Sequence, residues 1–217
     1  AASDVDSANI TVTLTLSDIA AGSLTTATSG AVTSTYNAGT GVWTATGAVA
    51  DVNALLAGVT FTPAANYNST FTIATSVSDG VAAAITGSKT MTGIVVDDPP
   101  TASNLSAPET YTEDTALNLI DIVASDVDSA SITVTLALSD TAAGSLNTGT
   151  SGAVTSTFVG GVWSASGAIV DVNSLLAGVT FTPAANYNST FTIATSVSDG
   201  VAAAITGSKT MTGIAVN

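Results

Sequence analysis

The groups able to do chemistry in this sequence are almost all carboxylates. Sixteen Asp and Glu residues stand against two Lys, with no His and no Cys, and the net charge is −14 although only 8% of residues are charged. Without imidazole or thiolate there is no general base or nucleophile of the usual kinds, and no ligand set for zinc or a soft metal. Paired carboxylates can hydrolyse glycosides, but here they fall at predicted domain ends rather than in an aromatic-framed cleft. The sequence therefore predicts a protein without catalytic activity. Two lysines cannot neutralise a phosphate backbone, so nucleic acid is excluded as a partner, and an anionic membrane surface would repel the chain. Carboxylates alone suit hard cations, calcium foremost.

The elements that must position these carboxylates come as a repeat. Leu55–Ile94 recurs without change as Leu175–Ile214, and Asp4-Val-Asp-Ser-Ala8 recurs as Asp126-Val-Asp-Ser-Ala130. Between these blocks Tyr36–Trp43 shortens to Phe158–Trp163, as expected of a tightened hairpin turn. The repeat predicts two domains, residues 1–97 and 98–217. Asp98–Ile122 has no counterpart in the first, which therefore reads as incomplete at its front. With Ala1 at its head and no signal-peptide pattern, the sequence reads as a fragment or mature segment. Mean hydropathy is +0.51, yet no apolar run approaches the roughly 18 residues of a spanning helix, so no membrane insertion is expected.

Alternation with a period of two marks the strands. Ile10, Val12, Leu14 and Leu16 alternate with threonines, and Phe71, Ile73, Thr75 and Val77 follow the same rule. Trp43–Thr46, Val59–Thr62 and Ile85–Val95 add further strands. Asp51–Gly58 is the exception, a helical turn with Asp51 as expected N-cap and Asp171 as its counterpart. In the second domain a strand runs from Thr101 past Leu105 to about Thr110, followed by Leu117–Val123, Ile132–Leu138, Phe191–Val197 and Ile205–Val216. The fold class is all-β: two tandem β-sandwiches, joined by the stiff Asp97-Asp-Pro-Pro100 linker into a rod, the first lacking its N-terminal strands.

Alternating strand directions carry Asp126, Asp128 and Asp199 to the end of the second domain that holds Asp97 and Asp98. Like charges gathered this closely repel unless a cation bridges them. Calcium, with its six to eight oxygen ligands, is the predicted cofactor. Asp4, Asp6 and Asp79 are the equivalent residues of the first domain. Glu113 and Asp114 form a further candidate metal pair at the opposite pole, beside Asn217.

At this point the sequence resembles a known family. Tyr111-Thr-Glu-Asp-Thr115, Ser125-Asp-Val-Asp-Ser129, Phe181-Thr-Pro-Ala-Ala-Asn-Tyr-Asn188, Val197-Ser-Asp-Gly200 and the Asp-Asp-Pro-Pro linker are similar to bacterial cadherin-like tandem repeats, which build giant secreted surface adhesins. The resemblance covers both copies. It implies an Ig/cadherin-like sandwich rod, calcium at the junctions and export to the extracellular bacterial cell surface. Asp97 and Asp98 stand where the family has its linker acids, Asp126 and Asp128 match its Asp-x-Asp, and Glu113 matches its early glutamate. The loop Pro183–Thr190 lacks the acidic motif of animal cadherins, so roughly one or two ions per junction are expected rather than three.

Three functions follow from this reading. The first is a calcium-stiffened extender of an adhesin or surface fibre, acting in adhesion or biofilm, with neighbouring repeats of the same chain as partners. The second is a polysaccharide-binding module using a sandwich face or the Trp43 hairpin, although Trp43 and Trp163 suit packing better. The third is a fibre subunit whose missing strands come from other copies. Asp18 and Asp140 are expected only to solvate turns, and the Asn68 and Asn188 glycosylation sequons to stay unused.

Overall fold

The computed structural model describes residues 1–216. The chain divides into two compact units, Ala1–Val96 and Asp97–Asn217, so Asp97 belongs with the second, one residue ahead of the repeat boundary. Asn217, expected beside Glu113 and Asp114, lies outside the described residues.

In the second unit, one sheet runs in the order Glu109–Thr112, Ile205–Ile214, Phe191–Ser198, Ser131–Leu138, Val162–Ala168, Thr157–Val159. A second sheet pairs Thr180–Pro183 with Leu117–Asn118 on one side and Gly144–Leu146 on the other. Alternation sorts the residues as a half-buried strand requires. Ile132, Val134, Leu136 and Leu138 enter the core while Thr133 and Thr135 face outward. The core joins the two sheets through Val134, Leu136, Trp163, Phe181 and Ile193. Each unit is thus an all-β, Ig/cadherin-like sandwich.

Two long strands expected from the sequence break up, for identifiable reasons. The first splits at Asn104, which takes a left-handed φ of 59°. Thr101–Ala102 pairs with Ala124–Ser125, whereas Glu109–Thr112 crosses to the large sheet and runs parallel to Ile205–Ile214. The strand expected over Leu117–Val123 forms a ladder only at Leu117–Asn118, with a further bond from the Leu119 N–H to the Val179 carbonyl. Beyond it the Ile120 carbonyl turns to accept from the buried Lys209 Nζ at 2.9 Å instead of continuing a ladder.

The helices, Val49–Gly58 and Ile169–Leu176, also differ from expectation. The N-caps are Ala48 and Ala168, neither with a side-chain cap, because the preceding strand runs straight into the helix. Asp51 and Asp171 sit in the first turn, where negative charge suits the helix dipole. Their carboxylates accept from Ser29 Oγ at 3.4 Å and Ser151 Oγ at 3.3 Å. The shortened hairpin is as the sequence predicted. Val159 pairs with Val162 across Gly160 and Gly161, both with positive φ, while the first unit spans Asn37 to Val42 with a longer loop.

The first unit repeats five of the six strands in the same order: Ile85–Met91, Phe71–Ser78, Asn9–Leu16, Val42–Ala48, Thr35–Asn37. Among its described residues nothing pairs with the outer side of Ile85–Met91, the counterpart of the strand that Glu109–Thr112 covers. Its second sheet has two strands, Gly22–Leu24 and Phe61–Pro63.

Candidate metal centre

The loop after Ala124–Ser125 folds around its first aspartate. Asp126 Oδ1 accepts from the Asp128 N–H at 3.1 Å and the Ser129 N–H at 2.8 Å. The loop after Phe191–Ser198 does the same: Asp199 Oδ1 accepts from Val201 N–H at 2.9 Å and Ala202 N–H at 3.1 Å. Such Asx turns are a common use of Asp at a strand end. They consume one oxygen of each carboxylate. The other oxygens, Asp126 Oδ2 and Asp199 Oδ2, are buried and meet no hydrogen-bond donor.

The start of the unit closes onto these loops. The Asp98 N–H donates to Asp128 Oδ2 at 2.9 Å. Burial pushes the Asp97 carboxyl above the usual carboxylate range, and the charges of Asp199, Asp128, Asp126 and Asp98 push it further the same way. Asp126 moves downward, held by the Ser129 N–H first and the Asp128 N–H after the cost of burial. The structure therefore brings Asp97, Asp98, Asp126, Asp128 and Asp199 into one electrostatic neighbourhood.

The first unit repeats the arrangement with Asp4, Asp6 and Asp79, whose carboxylate oxygens approach within 4.8 Å of one another. Asp4 Oδ1 accepts from Asp6 and Ser7 N–H at 3.1 and 2.8 Å, and Asp79 Oδ1 accepts from Val81 and Ala82 N–H, both at 3.0 Å. Those backbone bonds lower Asp4 and Asp79, whereas Asp6 is raised by its hydrogen bond to Asp4 and by the Asp4 charge.

The two groups suit a hard divalent cation on different grounds. In the second unit two buried Oδ2 atoms lack the partners that a cation would supply, and in the first three carboxylates converge; the side-chain donors of both are carboxylate oxygens. Glu113 and Asp114 are placed differently. Glu113 is buried, its Oε2 accepting from Asn188 Nδ2 and its Oε1 from Val216 N–H, both at 2.7 Å. Asp114, at φ 60°, accepts from the Asn186 N–H at 3.0 Å. Both act as struts for the 183–190 loop, and the Asn188 amide is thereby engaged by Glu113.

Other residues have roles their sequence context did not suggest. Asp140 accepts from the Tyr187 hydroxyl at 2.8 Å, and Asp18 from Tyr67 at 2.9 Å, so these acids anchor a loop rather than merely solvate a turn. Burial and the Asp140 contact push Tyr187 up to about 12. Trp43 and Trp163 are 1% exposed, their indole N–H groups donating to Thr25 and Asn147 carbonyls, which leaves no ring face for a sugar. Lys209 is 1% exposed and bonds Glu109 Oε1 at 2.8 Å. The available signal was phase: Lys209 shares the inward register of Met211.

No protein-family model matches the chain, and comparison with curated proteins finds no match. Among solved structures, protocadherin gamma B2 extracellular cadherin domains 1–5 align over 95% of the chain at 10% identity and TM-score 0.43. Human CDH23 EC21–23 aligns over 94% at 13% identity and TM-score 0.42, and the titin domains z1z2 over 97% at 10% and 0.38. The chain spans 33% of the protocadherin chain, 58% of the CDH23 chain and 90% of the titin chain. No helix among the described residues is long and apolar enough to cross a membrane.

Proposed function

We propose that this chain is an extender segment of a large extracellular bacterial surface adhesin, non-catalytic, with calcium held on the end carboxylates of its units and neighbouring repeats as its partners. The observation that carries the reading is the pair of buried, donor-free oxygens, Asp126 Oδ2 and Asp199 Oδ2, in a neighbourhood that also holds Asp97, Asp98 and Asp128. A buried carboxylate oxygen without a donor is costly. A divalent cation offsets that cost and the mutual repulsion together. Bound there, it would tie Asp97 and Asp98, where the chain enters the second unit, to the loops at 126–128 and 199. The entry of the chain loses freedom, which is what an extender requires. The buried tryptophans offer no sugar platform, so the polysaccharide reading has no comparable support.

Calorimetric titration of calcium into the EDTA-stripped chain tests this. Saturable binding and a higher Tm are expected, with Asp126→Asn and Asp199→Asn each weakening binding at least tenfold. A chain that gives no binding heat and melts identically in EDTA and calcium would overturn the metal reading. Stiffening has its own readout: the distance distribution between spin labels on the two units should narrow in calcium.

A further inference from the structure

The two units share forty consecutive identical residues, Leu55–Ile94 and Leu175–Ile214, yet bury them differently. Phe181, Val197 and Met211 are 0% exposed, while Phe61, Val77 and Met91 are only half-buried. Lys209 is 1% exposed and its twin Lys89 is exposed. Ile85 is 75% exposed, whereas Ile205 is half-buried and packs against the core.

The difference traces to one segment. In the second unit Glu109–Thr112 runs parallel to Ile205–Ile214, and the segment from Leu105 to Thr112 supplies three specific contacts. Glu109 neutralises Lys209 at 2.8 Å. The Tyr111 ring packs edge-on to Phe181 at 5.2 Å and near Phe191 at 5.9 Å, and its hydroxyl donates to the Ser189 carbonyl at 2.6 Å. Leu105 lies against Gly207 so closely that a Cβ there would stand 2.6 Å from it, and its carbonyl accepts from Thr195 Oγ1 at 2.9 Å. In the first unit the same surface is open. One cavity of about 320 Å³ is lined by Phe61, Tyr67, Phe71 and Met91, where the second unit seats Tyr111. Another of about 350 Å³ is lined by Val12, Leu14, Leu56, Val77 and Ile85. Gly87, the twin of Gly207, has only Thr75 Oγ1 near the position of a Cβ.

We infer that the groove along Ile85–Met91 is a strand-acceptor site for an extended segment with the chemistry of Thr101–Ile122. That segment brings a carboxylate to Lys89, an aromatic ring two residues later to the Phe61–Phe71 cavity, and a leucine to Gly87. The occupant is a segment not already housed in either unit. A second copy that lent its own Thr101–Ile122 would empty one groove to fill another and gain no burial. Charge complementarity sets the register, since Lys89 is the cation of this edge and the occupant's glutamate answers it. The acceptor strand is a sheet edge of the kind that strand addition uses.

The probe is a synthetic peptide of residues 98–122, offered to the full chain in excess EDTA so that the outcome is independent of the metal reading. One peptide is expected to bind per chain. Amides of Ile85–Met91, labelled separately from their identical twins, should gain at least tenfold protection from exchange while those of Ile205–Ile214 stay unchanged. A Glu109→Lys peptide should bind at least tenfold more weakly, and a Lys89→Glu chain should restore it. A scrambled peptide that binds as well overturns the inference, as does failure of the native peptide to protect Ile85–Met91. Peptide-free chains that dimerise with the same protection also overturn it, because the occupant is then a second copy.

Discussion

Lys89 and Lys209 occupy the same position in two copies of the same forty residues, yet one is solvated and the other is among the most buried side chains of the molecule. The strand that holds Lys209 did not change; its neighbour did. Glu109 and the Ile120 carbonyl, both drawn from the segment that only the second unit possesses among the described residues, supply the ammonium with its two partners. Burial is thus a property of the completed sandwich rather than of the strand. Identical sequence in a different environment makes the two forty-residue blocks an internal control, in which a difference between twin residues belongs to their surroundings.

The sharpest way to break that comparison is at the lysines. Lys209→Met strands Glu109 as a buried, uncompensated charge, and removing one partner of a buried pair costs about 3–5 kcal/mol. Lys89→Met changes an exposed side chain and should stay within about 0.5 kcal/mol. Urea melts of the full chain should show the first variant lowering the transition of the second unit and the second variant moving neither. The double variant Glu109→Gln, Lys209→Met should recover part of the loss, since no charge is then left buried. Equal effects at both lysines would mean that the first unit's edge is covered after all.

A smaller effect sharpens the comparison from the other side. Tyr67 and Tyr187 make the same hydrogen bond to Asp18 and Asp140, at 2.9 and 2.8 Å, in loops that both units possess. Tyr67→Phe and Tyr187→Phe should each cost about 1 kcal/mol, the usual net value of such a bond, and should do so alike. A clear inequality would show that Tyr111, 6.5 Å from Tyr187 and without a counterpart near Tyr67, also supports this loop.

Much of this was legible in the sequence. Residues that alternate against threonine, such as Ile132–Leu138, fall on strands because one face is core and the other water, and local pattern records that directly. The aspartate groupings were legible too, since strand direction decides which loops share an end. What escaped depended on long-range partners. The break of the first strand follows from Asn104 turning left-handed and sending Glu109–Thr112 to the other sheet, a choice that only the distant Ile205–Ile214 strand rewards. Asp51 and Asp171 were misplaced as caps because nothing local tells a helix that the preceding strand runs straight into it. The hydrogen bonds that Glu113 accepts from Asn188 and Val216 were equally hidden, because both partners lie far along the chain.

The smallest expected effect is the dependence on pH, and its sign separates the carboxylates by role. Asp126, Asp4 and Asp79 lie below their ordinary values because backbone N–H groups bind the charged form. They contribute stability above the unfolded-state value, which is lost as pH falls through their lowered folded values. Asp97 is raised by burial and by four like charges, and Asp6 by its contact with Asp4, so their folded forms take up protons first. Each is a liability at neutral pH, and acidification through its raised value relieves it. In EDTA, Tm should therefore rise slightly on going below neutral pH before falling as the Asx-turn aspartates protonate. In saturating calcium the early rise should vanish, because the cation already offsets the repulsion and protons now compete with it. Melting curves from pH 7 to 3 in both conditions decide the matter, and a monotonic fall in EDTA would mean that the repulsion around Asp97 is already relieved without metal.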